Sequence, residues 1–179
     1  MVNYNGDLVA FEDAKITPIN RALKYGDSVF ETLKLVNGKL IFWEAHYFRL
    51  MASMRMLRMK IPMSFTLEFL ENEILKTAKV SNSNNNLRIR LTITRKDGGF
   101  YLPLTNEVDY LIESQEINFV NKSTYKVDLY KDFYVYSGHL STIKTNNKII
   151  HTIASIYARE NELDNCILLN ERKGVVEAT

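Results

Sequence analysis

Leu87-Arg-Ile-Arg-Leu-Thr-Ile-Thr94 alternates without a break, with Leu87, Ile89, Leu91 and Ile93 on one side and Arg88, Arg90, Thr92 and Thr94 on the other. A period of two is the signature of a strand buried on one face only. Arg90 must therefore face either solvent or a polar cavity.

Outward from this strand the pattern changes period. Over residues 44–57 the apolar positions Phe48, Leu50, Met51, Met54 and Leu57 recur at three- and four-residue intervals, with Arg49, Arg55 and Arg58 between them, which predicts an amphipathic helix. A second helix is expected from about Ser64, as N-cap, to Lys79, presenting Leu67, Leu70, Ile74 and Leu75. The polar run over residues 81–86 should end it. Earlier still, Asn5-Gly6 and Asn37-Gly38 are hairpin turn signals: the first joins residues 1–4 to 8–11, the second joins residues 28–36 to 39–43.

Downstream, Asp97-Gly-Gly99 reads as a loop and residues 108–113 as a strand, and the polar segment 116–123 could carry the chain between domains. Beyond it we expect a strand at 124–130, a polar loop at 137–145, a helix over 147–162 showing Ile150, Ile153, Ala154 and Tyr157, and strands at 167–170 and 175–177. The last strand needs a pairing partner and an exit, so a further segment is expected beyond Thr179.

Composition narrows the function classes. The 179 residues are 46% hydrophobic and 25% charged with few glycines and prolines, a profile that argues against disorder. The 23 Lys and Arg are interspersed among 21 Asp and Glu for a net charge of +2, which disfavours a nucleic-acid-binding face. No apolar run approaches the roughly 20 residues that a membrane span needs. Cys166, the single cysteine, sits in an apolar run and reads as a small buried hydrophobe; it offers neither a disulfide framework nor a metal site, and a cytoplasmic home fits it best.

Three side chains could carry chemistry, and each also has an ordinary structural reading. Lys144, in a hydroxyl-rich loop just before an apolar-periodic helix, is either solvated surface or a partly desolvated amine suited to imine formation. Arg49 either snorkels at a helix surface or clamps a phosphate with its planar fork. Glu177 either faces solvent or pairs with a pyridinium nitrogen.

The order and surroundings of these residues decide between the readings. Arg21-Ala-Leu-Lys-Tyr-Gly-Asp-Ser-Val-Phe-Glu-Thr32, then Asn37-Gly38, His46-Tyr-Phe-Arg-Leu50 and Ser53, then Ile143-Lys-Thr-Asn-Asn147, Asp164-Asn-Cys-Ile-Leu-Leu-Asn170 and Gly174-Val-Val-Glu177 follow one another along the chain. In that order and spacing the sequence resembles the class IV aminotransferases, the fold type IV pyridoxal-phosphate enzymes. These include branched-chain aminotransferases, D-amino-acid aminotransferases and aminodeoxychorismate lyases.

The resemblance implies an α/β (α+β) fold of D-amino-acid-aminotransferase type, with a smaller domain at residues 1–117 and the start of a larger one, incomplete in this chain, at 118–179. It implies pyridoxal 5'-phosphate as cofactor, bound as an imine on the catalytic Lys144, with Arg49 on the phosphate, Glu177 on the ring nitrogen and Asn147 matching an asparagine that often follows the lysine. Phe30 matches the pocket-lining aromatic of the early strand, and Thr32 shares its face by alternation. Tyr25 matches a tyrosine that reaches a partner subunit's pocket in branched-chain members, and Arg90 an arginine those members use near the substrate carboxylate. A homodimer acting on an amino acid, branched-chain-like, and a 2-oxo acid is thus expected. The arginine and histidine that D-specific relatives carry after this strand are missing from Lys96-Asp-Gly-Gly-Phe-Tyr101, and phosphate contacts that the family places after the Glu177 strand fall beyond Thr179. Two alternatives stand beside transamination: aminodeoxychorismate lyase chemistry, in which some members have threonine where Glu31 stands, and a non-catalytic remnant of the fold.

Overall fold

The Leu87 strand, β5 (Leu87–Arg95), lies inside an antiparallel sheet and sets its two faces. Around it are β1 (Val2–Tyr4), β2 (Asp7–Val9), β3 (Ser28–Val36), β4 (Lys39–Leu40) and β6 (Val108–Glu116), in the order β2-β1-β6-β5-β3-β4. These assignments come from a computed structural model, which describes residues 1–80, 86–117 and 122–179. Most of the polar run expected to end the second helix, and the middle of the expected crossover, lie outside the described residues.

Register explains the burial. Val29 pairs with Ile93, Glu31 with Leu91 and Leu33 with Ile89, while Leu91 pairs with Ile112 on the far side, so these side chains form one face that is apolar but for Glu31. Two helices cover it: α2 (Trp43–Met56), through Trp43, Leu50 and Met54, and α3 (Leu67–Val80), through Leu70 and Ile74. The opposite face carries the pairs Phe30 with Thr92, Thr32 with Arg90 and Lys34 with Arg88. On the β6 side Leu111 stands opposite Thr92 and Glu113 opposite Arg90, so the face is mainly polar, with Phe30 and Leu111 as apolar members.

Local details differ from the sequence expectation where tertiary contacts override local signals. The α3 cap is Thr66, whose hydroxyl accepts from the Phe69 amide at 3.1 Å, so the helix starts after Ser64. The strand expected at 39–43 shrinks to β4, because Trp43 opens α2 with its indole N–H donating to Leu67 O at 3.2 Å. Phe48, expected on the buried stripe, is exposed.

A buried ionic lattice fixes the ends of this sheet. Arg21, in the short helix α1 (Arg21–Tyr25), donates to Asp27 at 2.8 Å and to the carbonyls of Gly98, Phe100 and Tyr101. Arg95 donates to the same Asp27 at 2.9 Å and to the carbonyls of Leu57 and Arg58. The loop that Arg21 holds is tight: Gly99 has φ +77°, and a Cβ there would collide with the Leu102 carbonyl oxygen.

The chain forms two compact units, Met1–Asn118 with Lys144–Asn146, and Phe119–Ile143 with Asn147–Thr179. The second contains β7 (Val127–Tyr130), α4 (Ile149–Glu160), β8 (Asn165–Leu169) and β9 (Val175–Ala178). β7 and β8 are parallel with α4 as their crossover, and β9 returns antiparallel beside β8. Ala154 and Ala158 of α4 pack on Tyr130, Cys166 and Leu168, with Ile150, Ile153 and Tyr157 at the margin. Cys166 is fully buried, as its apolar run suggests, and burial pushes its thiol up.

Candidate functional site

β4 pairs only with Leu35 and Val36, which leaves one edge of β3 open over its first half. The segment Lys144–Asn146 takes that edge. Phe30 N donates to Lys144 O at 2.9 Å, Asn146 N donates to Ser28 O at 3.3 Å, and Thr145 stands opposite Val29. Opposed residues share a face, so Thr145 points with Val29, and Lys144 and Asn146 point with Phe30. The expected polar loop thus ends as an added strand, and the lysine is aimed by backbone pairing.

On that face the Lys144 amine lies 5.2 Å from the centroid of the Phe30 ring, and the Arg90 guanidinium carbon lies 3.8 Å from it. Arg90 Nη2 donates to Asn146 Oδ1 at 2.8 Å. No carboxylate of the described residues forms an ion pair with either cation. Burial lowers the Arg90 pKa, with Arg88 adding to the effect and Glu113 opposing it, so a desolvated guanidinium is left open to an anion. Beside it is a cavity of about 320 Å³, lined by Tyr4, Thr17, Arg90, Thr92, Thr94 and Asn146 among others.

The helix-side face holds a second cluster. Glu31, 1% exposed, accepts from Arg49 Nε at 2.7 Å and Nη2 at 2.5 Å, and its Oε2 lies 2.7 Å from His46 Nδ1. His46 and Arg49 are one helical turn apart on α2, so both can reach the same carboxylate. The hydrogen bond to Glu31 raises the Arg49 pKa, with burial opposing. Nη1 of Arg49 makes no hydrogen bond among the described residues, and the side chain is 42% exposed.

The structure therefore gathers Phe30, Thr32, Arg90 and Lys144 on one face of the sheet, and puts Arg49 against Glu31, which points to the other. Tyr25 packs on Tyr101 at 5.6 Å and under the Arg21 guanidinium at 5.1 Å. Asn147 is exposed and makes no side-chain hydrogen bond among the described residues; its neighbour Asn146 is the one that meets Arg90. Glu177, in the second unit, is exposed and lies 2.8 Å from His151 Nε2. The sequence reading assigns no site role to Asn146, Glu31, His46 or His151. Asn146 is the most accessible of them, since it sits two residues after Lys144 and an extended segment puts the pair on one side.

The family model described as amino-transferase class IV matches residues 28–179. The chain belongs to the class IV aminotransferases. Among curated members, a putative branched-chain-amino-acid aminotransferase of Methanocaldococcus jannaschii is 37% identical over 97 residues, 52% of this chain and 32% of that protein. A D-alanine aminotransferase of Listeria monocytogenes is 34% identical over 91 residues, 51% of this chain and 30% of that protein. The matched stretch thus spans about a third of these class IV relatives.

Solved class IV structures share the fold. The branched-chain aminotransferase of the thermophilic archaeon Thermoproteus uzoniensis, solved with norvaline, has a TM-score of 0.83 at 24% identity, over 99% of this chain and 62% of that one. A putative 4-amino-4-deoxychorismate lyase of Legionella pneumophila has a TM-score of 0.80 at 16% identity, over 93% and 62%. No helix of the described residues is long and apolar enough to cross a membrane.

Proposed function

We propose that this class IV aminotransferase carries pyridoxal 5'-phosphate on Lys144 and moves an amino group between an amino acid, branched-chain-like, and a 2-oxo acid. The observation that carries the reading is the pairing of Lys144–Asn146 with β3, which aims an amine with no carboxylate partner among the described residues and a desolvated arginine at the same aromatic ring.

In their chemistry the residues present fit the cofactor's groups. Among the described residues Lys144 supplies an amine without an ion pair, Arg49 keeps Nη1 for a phosphate oxygen while Glu31 fixes its plane, and Glu177 keeps Oε2 unbonded. When bound, pyridoxal phosphate supplies an electron sink for the bonds at the substrate α-carbon. Lys144 then takes and returns the proton at that carbon. Arg90 and Asn146 bind and orient the substrate carboxylate, and Phe30 with the sheet beneath it keeps water from the reacting face. Arg49 holds the phosphate, and Glu177 holds the proton on the ring nitrogen. The reading of the substrate as branched-chain-like draws on the name of the M. jannaschii relative; that of the Listeria relative makes D-amino acids the comparison to run.

A homodimer is the working form in this reading. Phe100, Tyr101, Leu102 and Leu104 are each at least 80% exposed on a loop held rigid by Arg21, an apolar surface of the kind partner subunits cover. Sedimentation of the full-length protein tests it.

Borohydride reduction of the full-length protein with pyridoxal phosphate should tag Lys144 and no other lysine, and Lys144→Ala should lose the bound-cofactor absorbance. Tagging elsewhere, or normal turnover by the variant, would overturn the assignment. The second reading, release of 4-aminobenzoate and pyruvate, is raised by the Legionella neighbour. Supplying both substrate types and detecting either a 2-oxo acid or 4-aminobenzoate separates the two.

A further inference from the structure

His151 lies three and seven residues before Ala154 and Ala158, so it stands on the stripe of α4 that packs against the second sheet. On that sheet Glu177 pairs across strands with the fully buried Leu168, and cross-strand partners point to the same face. The helix stripe and the strand face meet at this pair. His151 Nε2 lies 2.8 Å from Glu177 Oε1.

The contact fixes which atom donates. A carboxylate only accepts, so the proton in this bond belongs to His151 Nε2. The other ring nitrogen, Nδ1, is buried without a hydrogen-bond partner among the described residues, so a proton placed there would have no acceptor among them. The ring therefore offers one donor, spent on one oxygen. Oε2 of Glu177 makes no hydrogen bond among the described residues.

We propose that His151 is a positioning residue for Glu177: its Nε2–H holds Oε1 and so presents Oε2 to the ring nitrogen of the cofactor. The proposal rests on the reading of Glu177 as the ring-nitrogen partner. It adds what that reading lacks, a contact that holds the carboxylate of a glutamate on an exposed strand. A free carboxylate there would lose side-chain entropy on each binding event, whereas a tethered one has already lost it.

The test uses the full-length protein with pyridoxal phosphate labelled at its ring nitrogen, read by ¹⁵N NMR, together with cofactor affinity. We expect a wild-type spectrum with the His151 proton on Nε2 and a protonated cofactor ring nitrogen. His151→Ala should weaken cofactor binding about tenfold, the worth of a hydrogen bond to a charged group, and shift the ring nitrogen toward its unprotonated position. His151→Gln, whose amide N–H₂ can donate to the same oxygen, should restore both. Ring-nitrogen shift and affinity unchanged in His151→Ala, or a wild-type His151 proton found on Nδ1, would overturn this role while leaving the function standing. A wild type that binds cofactor with an unprotonated ring nitrogen, or binds none, would overturn the reading of Glu177 and this role with it.

Discussion

The Arg90 guanidinium carbon sits 3.8 Å from the centroid of the Phe30 ring, and the same guanidinium donates to Asn146, so one arginine is held by an aromatic face and an amide at once. Neither partner neutralises it. Glu113, its cross-strand neighbour, acts on it only coulombically and forms no ion pair with it, so a substrate carboxylate can take the direct contact. Removing it should cost about 2 to 5 kcal/mol of binding. Arg90→Ala should therefore raise KM for the amino acid and the 2-oxo acid alike by at least roughly 30-fold, with cofactor affinity unchanged. Arg88→Ala, exposed on the same strand face, is the control. Equal effects of the two substitutions would refute a specific role for Arg90.

The Glu31 cluster predicts an asymmetry. Glu31 is 1% exposed, whereas Arg49 is 42% exposed, so only the arginine can return to water when its partner is lost. Glu31→Gln should cost about 1.5 to 3 kcal/mol, the worth of hydrogen bonds to charged groups. Arg49→Ala leaves a buried carboxylate with His46 alone and should cost about 3 to 5 kcal/mol. Urea unfolding of the two variants checks the order, and a reversed order would mean that Glu31 is solvated in solution.

Much of the sheet was legible because its signals are local. Leu87 to Thr94 alternates, and β5 has the two faces that alternation requires; Asn5-Gly6 and Asn37-Gly38 sit at hairpin turns with positive φ at each asparagine and glycine. What could not be read depends on partners distant in sequence. Lys144–Asn146 gains its direction only because β4 is too short to cover the β3 edge, and that shortness comes from Trp43 bonding to Leu67 in the next helix. Without that edge, Asn146 and Asn147 are indistinguishable as candidates. His151 was hidden by polarity: among apolar residues at helical spacing it does not register as part of the packed stripe, although Ala154 and Ala158 mark that stripe on either side of Tyr157.

Arg21 should be the most sensitive position of the first unit outside the apolar core. It is 3% exposed and serves one carboxylate and three carbonyls, an arrangement that needs the fork of a guanidinium. Lysine has one nitrogen and cannot span them. Arg21→Lys leaves Asp27 to Arg95 and strands carbonyls of Gly98 to Tyr101, so we expect a loss of about 3 to 5 kcal/mol. Amide exchange should accelerate in residues 98–104 ahead of the rest of the sheet. Uniform exchange across the unit would show that Arg21 contributes to global stability and does not hold the loop.

Glu177 offers the test that separates cofactor binding from chemistry. If Glu177 keeps the ring nitrogen protonated, Glu177→Gln retains the shape of the side chain and an amide oxygen for His151 Nε2–H, so the protein should fold as before and still bind pyridoxal phosphate, at least about tenfold more weakly, and the rate is read with the cofactor saturating. An amide cannot stabilise the proton on the ring nitrogen, and the α-carbon then loses the electron sink that makes its proton acidic. The rate of the half-reaction with a single amino acid should fall by about 100-fold or more, the scale at which one preorganised charge interaction acts on a transition state. KM should move little, because Arg90 and Asn146 still hold the carboxylate. Following the bound-cofactor spectrum after mixing with amino acid gives this rate without a second substrate. A rate within a fewfold of wild type would mean that Glu177 serves only to cap His151 at the edge of α4, and that another group protonates the ring.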